Sequence, residues 1–171
     1  MEAFYIDINE FKKSHNKDFL NQYADIKLNT QKRFFEYTIG RYLIKTVAKQ
    51  KYKIEDTEII LNEKSKPIFK NAELFFNISH SKDIIIACFD KNPCGIDIEY
   101  NKRRDLKKLS KHFNKIFNNE EEFYKFWTYK EASYKLQENP IGSYFSKFKD
   151  DYYLTIVSNK KFDIQNKIYP F

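Results

Sequence analysis

The stretch Gly95-Ile96-Asp97-Ile98-Glu99 alternates an apolar residue with an acid. Successive side chains of a β-strand point to opposite faces, so the pattern predicts a strand with both isoleucines in a core and both carboxylates on the other face. Like charges held that close repel unless something positive sits between them. A hard divalent cation such as Mg²⁺ relieves this, since it takes one or two carboxylates and leaves room for phosphate oxygens. On the pentapeptide alone, an edge strand whose acids face water is the simpler reading. The sequence on either side changes the balance.

A chain of 171 residues makes one domain or two small halves with a real core. At 42% hydrophobic and 18% aromatic residues it is globular. The two cysteines, Cys88 and Cys94, form neither a CxxC pair nor a zinc spacing and read as free thiols in a reducing compartment. Met1-Glu2-Ala3-Phe4 lacks the basic and apolar regions of a signal peptide, and the aliphatic run Ile84 to Phe89 is far too short to span a bilayer. The expectation is a cytoplasmic protein with no membrane contact. A net charge of +7 suits a polyanionic partner, but the abundance of Lys, Asn and Ile beside only three glycines is also what AT-rich coding produces.

Phe4 to Ile8 alternates as a first strand and looks like a faint copy of 95–99, with Asp7 structural. Residues 10–29 are polar and carry no clear pattern, and His15 is expected in an exposed loop. Asn29 or Thr30 caps a helix to about Gln50, with Phe35, Ile39, Tyr42, Leu43 and Val47 as its apolar stripe. Gly40 inside that helix costs about 1 kcal/mol relative to alanine, which makes sense where something packs closely. Arg33 and Arg41 fall on one side of the helix; a phosphate grip and a solvated basic face both fit. Ile59 to Leu61 is a short strand, followed by a loop with Lys66-Pro67. Leu74 to Ser79, Ile84 to Phe89 and Gly95 to Tyr100 are expected to form a three-stranded antiparallel meander, its turns at Ser81 to Asp83 and Asp90 to Pro93. Ser79-His80-Ser81 ends the first of these strands, where hydroxyls and an imidazole bind an anion or close a turn. Leu106, Leu109, Phe113 and Ile116 mark one helix, with His112 exposed. Asn118 or Asn119 caps a second, to about Leu136, with Glu120, Glu121 and Glu122 suiting its N-terminal dipole. Strands at 144–148 and 152–157 and a weak last one near 162–168 complete the chain.

Trp127, Glu131 and Lys135 lie at i, i+4 and i+8 on that second helix and share one face. A surface ion pair beside a core tryptophan explains them. So does a third carboxylate, Glu131, beside a phosphate ligand, Lys135.

Taken together, these segments resemble the 4′-phosphopantetheinyl transferase family, in its longer, surfactin-type or enterobactin-type class. Gly95-Ile96-Asp97-Ile98-Glu99 and Trp127-Thr128-Tyr129-Lys130-Glu131-Ala132-Ser133-Tyr134-Lys135 match its two core signatures. Phe76-Asn77-Ile78-Ser79-His80-Ser81 matches a third motif. Ser65-Lys66-Pro67 matches a fourth, with serine for glycine, and Arg33 with Glu36, Gly40 and Arg41 a fifth. The resemblance implies an α+β fold of two pseudo-symmetric halves, each a small antiparallel sheet packed on a helix, with the site in the cleft between them. Residues 1–100 would form the N-terminal half and 101–171 a C-terminal half shorter than usual for the class. It implies transfer of the phosphopantetheine arm of coenzyme A to a serine of an apo carrier protein, releasing adenosine 3′,5′-bisphosphate. In that reading Asp97, Glu99 and Glu131 hold Mg²⁺, Lys135 contacts the pyrophosphate, and Glu131, directly or through a metal-bound water, is the base. Ser79 and His80 with Arg33 or Arg41 bind the cofactor, His80 at its 3′-phosphate, and the Lys66-Pro67 loop edges the adenine. The basic charge then suits an acidic carrier protein, and the site needs no second copy of the chain, so a monomer is expected. A catalytically impaired coenzyme A-binding relative is one alternative. A basic aromatic domain for single-stranded nucleic acid is another, but it leaves the acidic trio unexplained.

Overall fold

The computed structural model describes residues 1–164 and 167–171. The elements run β1 (Glu2–Asp7), α1 (Ile8–Ser14), α2 (Lys17–Asn21), α3 (Gln31–Tyr52), β2 (Ile59–Leu61), β3 (Pro67–Phe69), β4 (Phe75–Ser81), β5 (Ile84–Asp90), β6 (Cys94–Tyr100), α4 (Leu106–Phe113), α5 (Glu120–Leu136), β7 (Gly142–Phe148), β8 (Tyr152–Ser158) and β9 (Ile168–Pro170). Part of the weak last strand expected near 162–168 lies outside the described residues; β9 begins where that expectation ends.

The first sheet has the order β4-β5-β1-β9 and the second β6-β8-β7, while β2 and β3 form a separate hairpin. The expected meander is therefore corrected. β4 and β5 do form a hairpin, but β6 pairs antiparallel with β8 in the other sheet. The reason is that β5 already has β4 on one edge and β1 on the other, so no edge is left for β6. Both sheets share one connectivity, a strand, a helix and then a hairpin whose second strand pairs back onto the first: β1, α3, β4-β5 and β6, α5, β7-β8.

The continuous apolar run of β5 follows from burial of both its faces. Ile85, Ala87 and Phe89 join Ile39, Leu43 and Val47 of α3 in one core. Ile84, Ile86 and Cys88 join Ile96, Ile98, Leu154 and Ile156 of the second sheet in another. The other face of β8 belongs to α5, with Val157 against Ala132 and Leu136 and Tyr153 against Tyr124. The layers thus run helix, sheet, sheet, helix.

The caps are those read from the sequence. Thr30 Oγ1 accepts from Arg33 N at the start of α3, and Asn119 Oδ1 from Glu122 N at the start of α5. Asp7 is structural, as expected: it caps α1 by accepting from Asn9 N and Glu10 N. His15 is not a free loop residue. It stacks on Phe11 at 4.2 Å and touches Phe19 and Tyr42, because α1 and α2 fold residues 8–21 onto α3. His112 is exposed. No helix among the described residues is long and apolar enough to cross a membrane.

Candidate active site

β6 is the edge strand of the second sheet, so half of its backbone groups lack a strand partner. β4 supplies partners with side chains alone. Asn77 Oδ1 accepts from Ile96 N at 2.9 Å, Ser79 Oγ from Ile98 N at 3.3 Å, and Ser81 Oγ from Tyr100 N at 2.9 Å. The spacing of two is the strand period: residues 77, 79 and 81 all face β6. Ile78 and His80 point the other way, toward α3. One strand thus faces two subsites.

On the β6 side Asp97 is 5% exposed. Its Oδ1 accepts from Ser79 Oγ at 3.0 Å and from Lys135 Nζ at 2.6 Å. Lys135 also donates to Ser79 Oγ and Ile96 O. Ser79 therefore uses its one proton and both lone pairs within the protein. Asp97 Oδ2 is buried and has no partner. Burial raises the Asp97 carboxyl above the ordinary carboxylate range, outweighing the opposite pull of Lys135 and the Ser79 hydrogen bond. Glu99 is held at both oxygens, Oε1 by Trp127 Nε1 at 3.1 Å and Oε2 by Ser81 Oγ at 3.5 Å. Glu131 lies one helical turn from both Trp127 and Lys135, hence on the same side of α5. It is half-buried and makes no hydrogen bond or ion pair to any described residue.

Gly95 allows this approach of helix to strand. A Cβ there would lie 2.1 Å from Ala132 O and 2.9 Å from Leu136 N, both backbone atoms of α5. A side chain at 95 would push away the helix that carries Glu131 and Lys135.

Among the described residues no three acidic, histidine or cysteine side chains are gathered into a ready metal cage. The donors nevertheless fit Mg²⁺ in kind. They are hard oxygens, one of them a buried carboxylate oxygen with no partner. Mg²⁺ uses one or two carboxylates together with substrate phosphates, so a finished protein cage is not required.

On the α3 side of β4 lies a cavity of about 430 Å³ lined by Arg33, Glu36, Arg41, Pro67, Ile78 and His80 among others. Four of the residues expected to bind the cofactor meet there. Arg33 is exposed and unpaired by any described residue. Arg41 is committed: its Nε donates to Tyr37 OH at 3.0 Å, and its guanidinium lies 3.8 Å from Asp25, which also accepts from Tyr37. Glu36 stands 3.7 Å from His80 Nδ1 and 3.6 Å from Lys32 Nζ. Lys66 turns its ammonium inward to donate to Cys94 O at 3.0 Å, and burial lowers its pKa below the ordinary lysine range. What the Lys66-Pro67 loop offers the cavity is Pro67. Ser65 adopts φ 60°, the left-handed conformation that glycine favours. Holding a serine in that conformation costs about 1–2 kcal/mol.

Sequence reasoning assigned no role to Asn77, to Glu36 or to the Asp25–Tyr37 pair, and read Ser81 as an anion-binding or turn hydroxyl, whereas it accepts from Tyr100 N and donates to Glu99. For Asn77 and Ser81 the signal was present: polar residues at 77, 79 and 81 alternate with Ile78 and His80.

No family model matches the chain. It is 26% identical over 172 residues to the 4′-phosphopantetheinyl transferase Sfp of Bacillus subtilis, across 87% of this chain and 76% of that one. It is 30% identical over 123 residues to the 4′-phosphopantetheinyl transferase psf-1 of Bacillus pumilus, across 64% and 53% of the two chains. It is 29% identical over 126 residues to the 4′-phosphopantetheinyl transferase gsp of Aneurinibacillus migulanus, across 67% and 53%. The chain thus spans about three-quarters of the first relative and about half of the other two. These likenesses agree with the five motifs, which meet on β4, β6, α3, α5 and the loop before β3: the chain is similar to curated 4′-phosphopantetheinyl transferases.

Proposed function

We propose that the protein moves the 4′-phosphopantetheine arm of coenzyme A to a serine hydroxyl of an apo carrier protein, with Mg²⁺, and releases adenosine 3′,5′-bisphosphate. The observation that carries this reading is the two-sided strand β4. Asp97, Glu99, Glu131 and Lys135 lie on one side of it, the Arg33–His80 cavity on the other. A pyrophosphate joined to a 3′-phosphorylated nucleoside has two separate anionic ends, and the two sides of β4 match them.

In this reading Asp97 through Oδ2, Glu99 and Glu131 hold Mg²⁺, which supplies neutralising charge at the pyrophosphate. Lys135 adds a compact cation beside it. Glu131 takes the proton of the carrier serine, whose oxygen forms the new bond to the phosphorus bearing pantetheine. The bond from that phosphorus to the adenosine bisphosphate breaks, and its electrons leave with the nucleotide. Arg33 and His80 bind the 3′-phosphate. The +7 charge suits an acidic carrier.

Mass spectrometry of an apo carrier protein incubated with the enzyme, coenzyme A and Mg²⁺ tests the whole reading. A phosphopantetheine adduct that disappears on chelation is the expected result. An unmodified carrier across acyl and peptidyl carrier types overturns it.

A second measurement addresses the cavity. Loss of a hydrogen bond to a charged group is worth about 1.5–3 kcal/mol, or roughly tenfold or more in affinity. His80→Ala and Arg33→Ala are each expected to raise KM for coenzyme A by that factor and leave KM for 3′-dephospho-coenzyme A nearly alone. A preference that survives both changes places the 3′-phosphate elsewhere.

A further inference from the structure

Ser79 and Ser81 repeat one arrangement. Each hydroxyl accepts a backbone N–H of β6 and donates to the carboxylate one residue earlier: Ile98 N and Asp97 for Ser79, Tyr100 N and Glu99 for Ser81. A hydroxyl has one proton, and it rotates to suit its partners. Once the lone pair is engaged by the N–H, the proton is left for the neighbouring acid. Two serines two residues apart on β4 thus address two acids two residues apart on β6.

The consequence is greatest at Glu99. It stands at the half-buried end of an edge strand, where a long flexible side chain is otherwise free to sample rotamers. Here each oxygen has its own donor, Ser81 from the first sheet and Trp127 from α5. The hydroxyl of Ser81 faces away from the cavity that holds His80, because successive side chains of β4 alternate.

We propose that Ser81 is a positioning residue: it acts on the bound cation through Glu99 and touches neither coenzyme A nor the carrier. The proposal rests on the metal reading given above. It makes β4 of the first sheet responsible for the geometry of the acids on the second, so the two sheets form one site.

The chain has a single tryptophan, Trp127, and its indole N–H is bonded to Glu99. Quenching of Trp127 fluorescence by Mn²⁺ therefore reads cation binding without turnover. Removing a group that orients a metal ligand typically weakens metal affinity about 10- to 100-fold. Ser81→Ala is expected to raise the Mn²⁺ dissociation constant by at least about tenfold, and Ser81→Thr, which keeps the hydroxyl, to restore it within about threefold. In turnover, Ser81→Ala is expected to need more Mg²⁺ with KM for coenzyme A unchanged. Ser81→Cys keeps the bulk and loses the strong donor, so it serves if the alanine variant folds poorly. Unaltered Mn²⁺ binding in the alanine or cysteine variant, or no rescue by threonine, overturns the proposal and leaves the metal site standing. Absence of quenching in the unmodified protein overturns both.

Discussion

Gly95→Ala is expected to be among the most damaging single substitutions in the chain. The added Cβ meets Ala132 O at 2.1 Å and Leu136 N at 2.9 Å, and neither atom belongs to a side chain that can swing aside. Overpacking of a tight core costs about 1–3 kcal/mol, occasionally more, and a backbone wall puts this case at the upper end. About 3 kcal/mol corresponds to a fall in Tm of roughly 6–12 °C for a domain of this size. Any relief requires α5 to move off β6, which breaks the Lys135–Asp97 and Trp127–Glu99 contacts together. Gly40→Ala is the matched control. Its Cβ meets only Ile78 Cδ1, the far end of a flexible side chain, at 2.9 Å. Alanine also suits a helix better than glycine by up to about 1 kcal/mol, so stability is expected to hold or rise. Thermal melts of the two variants decide the matter. A Gly95→Ala protein that melts like the unmodified chain shows that α5 does not need this close approach.

The same residue shows what the sequence could and could not convey. The alternation at 95–99 specifies a strand and sorts its side chains by face, because a period of two is a local property. The isoleucines do lie in a core and Asp97 does face the acidic site. Which strand pairs with β6 is not local. Consecutive strands pair more often than not, and that tendency predicts the meander. The outcome turns on β1, ninety residues earlier, having taken the free edge of β5. The helices α3 and α5 were legible because caps and apolar spacing are local, whereas α1 and α2 are too short to show a period. The residues expected to bind the cofactor divide in the same way. Motif spacing brings Arg33, Pro67 and His80 to one cavity. It does not reveal that Arg41 is already bonded to Tyr37 and Asp25, nor that Lys66 points into the protein, since those partners lie in other segments.

Asp97→Asn and Glu131→Gln are expected to abolish Mg²⁺-dependent transfer while leaving the fold intact. A side chain kept for stability makes contacts whose loss is felt on unfolding. Glu131 makes no hydrogen bond or ion pair with any described residue, so its amide, which keeps its shape, should melt within a few degrees of the unmodified protein. Asp97 does have a partner in Lys135, yet burial still raises its carboxyl above the ordinary range. The negative charge is therefore costly where it stands, and an amide of the same shape removes that cost while still offering an oxygen to Lys135 and Ser79. Its Tm is expected to stay level or rise. Activity responds in the opposite sense. Groups that merely orient a metal ligand change affinity or rate about 10- to 100-fold, so loss of a carboxylate that holds the cation should exceed about 100-fold in kcat/KM. Both variants need assay across a wide range of Mg²⁺. Near-normal turnover at saturating Mg²⁺ in either variant removes that acid from the metal set. A Glu131→Gln protein that binds Mn²⁺ normally by Trp127 quenching but does not turn over would assign Glu131 to the carrier proton alone.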